Sequence, residues 1–331
     1  TWTAGATNTE LATLAQAMEG ASAGFGIASA VYTQNFSVAS QETSPKGVAF
    51  NADGTKMFVV GSSGDDVNEY ALSTGFDVST STFTDAFSVA SQTTNPPSVQ
   101  FSTDGTKMFV VGGSNVNEYA LSTGFDVSTA SFTDAFDVSG QEAGPRGLAF
   151  NTDGTKMFVV GGAGVDVNEY TLSTGFDVST STFVDSFDVS TQEAAPYGVA
   201  FNADGTQMFI VGTTGQDVNE YTLTTGFDVS TASYASINFS VAAQDTSPMN
   251  LAFNADGSKM FIVGLVGDAI YEYSTTSYTN QMDKTQLDAV TDPNHIALSN
   301  DLDLAIVLNL TSGSTVPSSN GVSINYDGNV L

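Results

Sequence analysis

The chain contains no cysteine, one histidine and one tryptophan among its 331 residues. Because cysteine is absent, disulfide frameworks and thiolate metal sites are excluded. A zinc site built from several histidines is excluded as well, since His295 stands alone. His295 lies in the segment D-P-N-H-I, which is more typical of a solvent-facing loop than of a catalytic base. The sequence therefore offers little of the usual catalytic inventory.

Positive charge is also scarce, because 7 Lys+Arg against 36 Asp+Glu give a net charge of -29. Such a surface repels phosphate backbones and anionic lipids, so we predict neither a nucleic-acid nor a membrane partner. No apolar run approaches the roughly 18 residues of a membrane span, and no signal peptide is recognisable. The chain begins at Thr1, so we expect a processed or incompletely represented product.

What the chain does contain is a repeat of about 50 residues. Each unit has an Asp-Gly turn, a run such as K-M-F-V-V, then V-N-E-Y and G-F-D-V-S-T. The turns are separated by 51, 49, 51 and 52 residues and fall at Asp53-Gly54, Asp104-Gly105, Asp153-Gly154, Asp204-Gly205 and Asp256-Gly257.

One unit predicts four strands. The run 47–51 is short and apolar, and the turn after it leads into K-M-F-V-V-G at 56–61, whose continuous apolarity predicts burial on both faces. Residues 67–73 alternate, and 82–89 form a last strand. A four-stranded antiparallel sheet cannot bury both faces alone, whereas radial stacking of such sheets can. The repeat therefore predicts an all-β, five-bladed β-propeller.

The ends of the chain decide how the ring closes. Residues 29–41 copy the outer strand of the first unit, with Tyr32 at the Phe83 position and Phe36 at the Phe87 position. We expect this N-terminal strand to complete the fifth blade and so to remove its open edge. The alternative is six blades, because 293–307 echo the repeat spacing, although the echo lacks the Asp-Gly turn and V-N-E-Y.

The sequence predicts three regions along the chain. Residues 1–27 form an N-terminal segment with a short helix at 8–20, where Leu11, Leu14 and Met18 share one stripe. Residues 28–282 form the propeller. Residues 283–331 form a C-terminal tail, whose end looks cut, with strands at 305–310 and 322–326.

The carboxylates recur in register, which bears on catalysis. Because an acid present five times is more simply explained as a turn or sheet contact than as five catalytic groups, we predict no enzymatic activity. The repeated glutamates are Glu69, Glu118, Glu169, Glu220 and Glu272.

Variation is concentrated in two loops of each unit, which alternating strands place on one face. We call this face the variable rim; it holds the loop entering the first strand and the loop between the second and third. Such variation suits a recognition surface, and drift at tolerant loop tips explains it equally well. The residue after the aligned proline varies most: Lys46, Pro97, Arg146, Tyr197 and Met249. We take Lys46, Arg146, Tyr197 and Met249 as candidate recognition residues.

Three acids on the same rim are a candidate calcium site. Glu42, Asp65 and Asp66 are expected to cluster there, and carboxylate oxygens are the ligands that calcium prefers. Calcium is the one cofactor that the sequence suggests.

The unit F-N-A-D-G-T-K-M-F-V-V-G, followed by D-V-N-E-Y and L-S-T-G-F-D-V-S-T, resembles β-propeller repeats of the YVTN and WD40-like superfamily, especially in proteins of marine bacteria and their phages. The tail from Leu287 resembles segments of phage tail and virion structural proteins. Family propellers include lactonases with metal-liganding Glu, Asn and Asp in the central channel, but no such non-repeated set is found here.

The resemblance implies a non-enzymatic component of a virus particle: a tail fibre, spike or capsid decoration that presents one face for host recognition. Expected partners are other virion proteins, copies of the same chain, and a glycan or protein on the host surface. The alternatives are an extracellular or cell-surface adhesion propeller of a bacterium and a calcium-dependent propeller hydrolase or lactonase. The expected location is the virion or the extracellular space.

Overall fold

The structure, a computed structural model, describes residues 24–275 and the backbone of 325–326 and 329–330. Residues Ala23–Thr276 form one compact unit, and a second unit comprises Thr1–Ser22 with Ser277–Leu331. The predicted helix, the strand at 305–310, His295 and the echo of a sixth blade lie outside the described residues. The predicted domain boundaries stay a prediction.

Five four-stranded antiparallel sheets make up the first unit. Blade 1 contains β2 (Pro45–Phe50), β3 (Lys56–Gly61), β4 (Asp66–Leu72) and β5 (Ser81–Ser88). Blade 2 contains β6 (Ser98–Phe101), β7 (Lys107–Gly112), β8 (Asn115–Leu121) and β9 (Ala130–Asp137). Blade 3 contains β10 (Pro145–Phe150), β11 (Lys156–Gly161), β12 (Asp166–Leu172) and β13 (Ser181–Asp188).

Blade 4 contains β14 (Pro196–Phe201), β15 (Gln207–Gly212), β16 (Asp217–Leu223) and β17 (Ala232–Ser240). Blade 5 takes three strands from its own repeat, β18 (Pro248–Phe253), β19 (Lys259–Gly264) and β20 (Ala269–Ser274), and one from the N-terminal region, β1 (Val31–Ser37). The innermost strands β2, β6, β10, β14 and β18 contact one another in that order and close the circle. The predicted five-bladed ring of four-stranded antiparallel blades is confirmed.

The Asp-Gly turn needs its glycine for two reasons. Gly54 has φ +69°, which glycine adopts without steric cost, and the ring of Phe76 lies against it, so that an added Cβ would be 2.3 Å from a ring carbon. Phe76 itself has φ +58° and donates its backbone N–H to the Gly54 carbonyl. The other four turns repeat this arrangement.

The second strand of each blade is buried on both faces, as its continuous apolar run predicts. Met57 and Val59 pack toward blade 5, while Phe58 and Val60 pack toward blade 2, and all four are fully buried. This alternation follows from the two-residue period of a strand. Each blade is therefore held by its two neighbours.

β1 closes the ring by pairing with β20, with Phe36 opposite Ile270. The copy of the repeat begins upstream of this strand, because Gly24 and Phe25 stand where the other units have Gly-Phe. Phe25 has φ +60° and donates its backbone N–H to the Gly257 carbonyl at 2.7 Å, as Phe76 does to Gly54. One 3₁₀ turn precedes the outer strand of each blade: Ile27–Ser29, Val78–Thr80, Val127–Thr129, Val178–Thr180 and Val229–Thr231.

In the second unit, β21 (Asn325–Tyr326) pairs antiparallel with β22 (Asn329–Val330). The strand β21 falls inside the segment 322–326 that the sequence predicts to be extended. Among the described residues, no helix is long and apolar enough to cross a membrane.

Candidate functional site

The repeated lysines and glutamates join neighbouring blades. Lys56 Nζ lies 2.7 Å from Glu69 Oε1 and also donates to the Phe125 carbonyl of the next blade. Glu69 Oε2 accepts the backbone N–H of Val127 from that same blade. The equivalent ion pairs are Lys107–Glu118, Lys156–Glu169 and Lys259–Glu272. The contacts of these glutamates are therefore structural.

Blade 4 departs from this scheme, because Gln207 replaces the lysine. Its Nε2 donates to Glu220 Oε1 at 2.9 Å. Burial raises the pKa of Glu220, and the hydrogen bond from Gln207 opposes the shift only in part. Within residues 24–275, the carboxylate at this position therefore lacks the countercharge that its four equivalents have.

A second set of repeated acids is buried on the variable rim. The Glu42 side chain is fully buried, and its carboxylate accepts the backbone N–H groups of Ser44 at 2.7 Å and Ser63 at 3.0 Å. It thereby joins the two loops of the rim and confirms that they lie together. Its counterparts are Glu142, Glu193 and Asp245, each with equivalent backbone contacts.

This arrangement bears on the predicted calcium site. The Glu42 oxygens are already hydrogen bonded to backbone amides, and Asp65 occupies a left-handed position, φ +55°, that Val165 and Gln216 fill elsewhere. Within residues 24–275, no group of three or more acidic, histidine or cysteine side chains could hold a metal ion. The calcium site with Glu42, Asp65 and Asp66 has no geometric support in this part of the chain.

Sequence reasoning missed the structural role of Glu42, although the signal was present. Aligning the units on their prolines places Glu42, Thr93, Glu142, Glu193 and Asp245 in one column. An acid in four of five units indicates a structural contact, as it did for the glutamates of V-N-E-Y.

A cavity of about 600 Å³ opens on the variable rim where the innermost strands of blades 1 to 4 begin. We call it the rim cavity; Lys46, Asn95, Arg146 and Tyr197 line it together with residues 90–94. The structure thus brings three of the four candidate recognition residues together. Met249 is placed differently: it is 5% exposed and packs between blades 5 and 1, since its apolar side chain fits the core there.

The Arg146 guanidinium is held on several sides. Its Cζ lies 4.1 Å from the centre of the Tyr197 ring, and its Nη1 donates to the Pro196 carbonyl at 3.2 Å. Behind it is Gly162, where an added Cβ would be 2.5 Å from Cζ. The absence of a side chain at Gly162 therefore makes room for the guanidinium.

The Lys46 ammonium faces the same cavity from blade 1 and donates to Asn95 Oδ1 of blade 2. Burial lowers the pKa of Lys46; Glu42 opposes the shift, and the positive charge of Arg146 adds to it. All ion pairs among residues 24–275 are made by the repeated lysines. Lys46 and Arg146 therefore have no carboxylate partner in the described structure.

The opposite mouth of the ring has a cavity of another kind. It measures about 440 Å³ and is lined by aromatic side chains such as Phe50, Phe150 and Phe201, together with asparagines such as Asn51. Because these residues recur from blade to blade, this cavity reflects the repeat itself.

No protein-family model matches the chain, and no curated protein sequence matches it. The superfamily and phage resemblances therefore stay hypotheses.

The chain is similar to several solved structures at low identity. A functionally unknown protein from Desulfotomaculum acetoxidans is 12% identical, with a TM-score of 0.41 and coverage of 66% of this chain and 62% of that one. A provisionally assigned 6-phosphogluconolactonase from Bacteroides uniformis is 13% identical, with a TM-score of 0.43 and coverage of 69% and 65%. A luciferin-regenerating enzyme is 12% identical, with a TM-score of 0.45 and coverage of 73% and 95%.

The match spans less than two thirds of the length of the first two structures. With TM-scores below 0.5, these likenesses carry no argument about function. A propeller scaffold also hosts many unrelated functions, so function depends on the residues of the site.

Proposed function

We propose that the chain is a non-enzymatic recognition protein whose ligand site is the rim cavity. The observation that supports this most is the meeting of Lys46, Arg146 and Tyr197 in one cavity of about 600 Å³. These residues differ from their equivalents in the other units, whereas the residues that build the blades repeat. The size is within the roughly 300–1,000 Å³ of small-molecule sites.

The repeated acids support binding over catalysis. Glu69 and Glu42 show the pattern: the first is tied to a lysine and to the next blade, and the second to backbone amides of its own rim. A general base must be free to reach the proton of a substrate, and these carboxylates are engaged in holding the fold.

We further propose that the protein acts on a virus particle, with other virion proteins or further copies of itself as partners and a host surface as target. The resemblance of the tail to virion proteins supports this setting, and a ring closed by pairing of its N-terminal strand with the last blade suits a displayed module. An adhesion propeller on a bacterial surface would use the same cavity in a different place.

The binding role is tested with a triple variant. Replacing Lys46, Arg146 and Tyr197 by Gln, Gln and Leu should abolish attachment of the full chain to host cells without changing the melting temperature. Lys156→Gln is the matched control, since it removes one charge away from the rim and reproduces the residue found naturally in blade 4. Unchanged attachment of the triple variant would refute the rim as the recognition surface.

The setting is tested separately. Antibodies against the propeller should label virus particles in immunogold electron microscopy. Labelling confined to bacterial envelopes would refute the virion setting and support an adhesion protein of the bacterial surface. The proposed binding role would be unaffected.

A further inference from the structure

Blade 2 departs from the repeat at the rim cavity in two ways. Its loop between the second and third strands, 113–114, is two residues shorter than those of blades 1, 3 and 4, which explains the spacing of 49 residues. Thr93 also replaces the buried acid, and an added Cβ on Gly112 would meet its side chain. Because the loop of blade 2 is shorter, it does not need the carboxylate that binds the longer loops of the other blades.

Both departures fall between Lys46 and Arg146, which have no carboxylate partner among the described residues. Lys46 approaches the cavity from blade 1 and Arg146 from blade 3, on either side of the short loop. Among residues 24–275, no acidic side chain lines the cavity, although the chain carries 36 of them. At the rim cavity, blade 2 therefore lacks the repeated acid and two loop residues. The blades on either side contribute the cations Lys46 and Arg146 at the same place.

The donors are partly pre-oriented. Tyr197 and Gly162 confine the Arg146 guanidinium, and the Pro196 carbonyl uses one of its nitrogens, which leaves N–H groups of the planar fork for a ligand. A carboxylate matches that fork, because its two oxygens can accept two parallel hydrogen bonds. The ammonium of Lys46, held by Asn95, offers further donors.

Uncharged polar side chains form part of the remaining lining, beside small residues and prolines. Ser91, Gln92, Thr94 and Asn95 contribute hydroxyl and amide groups, which suit a ligand that carries many hydroxyl groups of its own. An apolar ligand would leave these groups without hydrogen-bond partners, which disfavours its binding.

From this geometry we infer that the rim cavity binds an acidic saccharide, with the carboxylate of a sugar acid between Lys46 and Arg146. The inference rests on the proposed recognition function and names its ligand class. Binding involves ionic and hydrogen-bond contacts only, and no covalent step.

The test is calorimetric titration of the full chain with tri-galacturonate as the probe. Neutral galactotriose, a sulfated galactose trimer and tri-glutamate are the comparison ligands. Tri-galacturonate should bind, its affinity should fall as salt is added, and Arg146→Gln or Lys46→Gln should each weaken it by about tenfold or more. Lys156→Gln should leave the affinity unchanged.

Gly162→Ser provides a second variant in case Arg146→Gln disturbs the fold, because it displaces the guanidinium without removing it. Equal binding of galactotriose, or full affinity in Arg146→Gln, would overturn the anion site. Binding of only the sulfated trimer or only tri-glutamate would overturn the sugar-acid assignment. If no probe binds while the triple variant still loses attachment to cells, the ligand class is wrong and the proposed function stands.

Discussion

Arg146 of blade 3 lies over the aromatic ring of Tyr197 of blade 4, with 4.1 Å between the guanidinium carbon and the ring centre. This contact crosses the blade boundary and fixes the direction of a cation that has no carboxylate partner among the described residues. Gly162 permits it, since any side chain there would enter the space of the guanidinium.

We therefore expect Gly162→Ser, which introduces the residue of the equivalent Ser62, to weaken tri-galacturonate binding by about three- to tenfold, because a displaced arginine must be reordered on binding. The melting temperature should stay the same, since only the end of a flexible side chain moves. Calorimetry and thermal unfolding measure both. Gly140→Ser is the control, because its Cβ would meet no atom of the described residues within 4 Å; an equal loss of affinity there would contradict the explanation.

Gln207→Lys should stabilise the propeller by about 1 kcal/mol, or roughly 2–4 °C in melting temperature for a domain of this size. The lysine would pair with Glu220, as the other four units do. Gln207→Met, which keeps the length and removes the donor, should destabilise it. Urea unfolding of the parent and the two variants measures their order of stability. A Gln207→Lys variant no more stable than the parent would contradict the prediction.

The gain should depend on pH in a defined direction. Burial raises the pKa of Glu220 in the folded protein, so its folding contribution becomes less favourable as the pH rises from the ordinary glutamate value of about 4.3 through the raised value. The added lysine removes this penalty. The advantage of Gln207→Lys should thus be full above the raised pKa, at neutral pH, and should shrink as the pH falls through the raised pKa toward about 4.3; an advantage independent of pH would exclude Glu220 as its cause.

Glu42→Gln should destabilise the fold by about 2 kcal/mol, because its carboxylate binds backbone N–H groups from both rim loops. Calcium should change the melting temperature of neither parent nor variant. Asp65→Asn should be nearly neutral, since Asp65 Oδ1 has no hydrogen-bond partner in the described part of the chain. Stabilisation of the parent by calcium, lost in both variants, would instead support the metal site predicted from the sequence.

The Asp-Gly turns should contribute to acid sensitivity. The Thr206 hydroxyl, 2.6 Å from Asp204 Oδ1, and the Thr206 backbone N–H hold the pKa of Asp204 below its usual value. The contribution to stability is present above the ordinary aspartate value of about 3.9 and is lost as the pH falls through the lowered pKa.

The parent should therefore exceed Asp204→Asn in stability at neutral pH and lose that advantage in acid, as measured by urea midpoints at several pH values. When both proteins also carry Thr206→Val, the stability difference between Asp204 and its Asn variant should depend less on pH, because the hydrogen bond from the Thr206 hydroxyl is gone. If the pH dependence stays the same, it comes from the net charge of the chain instead.

The fold could be predicted from the sequence because its determinants are local and recur. The Gly54 turn, the apolar run after it and the copied strand at 31–37 each specify one element, and five copies specify the ring. The upstream match at Gly24 and Phe25 was missed because it is short and differs at the next position, where Gly26 replaces an aspartate.

The candidate site could be predicted only in part, because cavities depend on neighbours from other blades. Lys46, Arg146 and Tyr197 stood out as departures from the repeat, but nothing along the chain shows that Met249 turns into the core. The importance of Gly162 follows only from the guanidinium of a residue 16 positions earlier. The replacement of the repeated acid by Thr93 is visible when the units are aligned. That this replacement lies at a cavity is visible only in the structure.

The strand that closes the ring has a consequence for synthesis on the ribosome. Thr33 in β1 hydrogen bonds to Glu272 in β20, 239 positions further along the chain. β1 leaves the ribosome before the other strands of the ring, and its partner β20 is made only with the fifth blade, so the ring stays open during translation of blades 1 to 4. Pairing over such a separation is slow, and both unpaired edges are open to other chains meanwhile. The order of translation thus makes the last blade, rather than any single repeat, the step at which folding competes with aggregation.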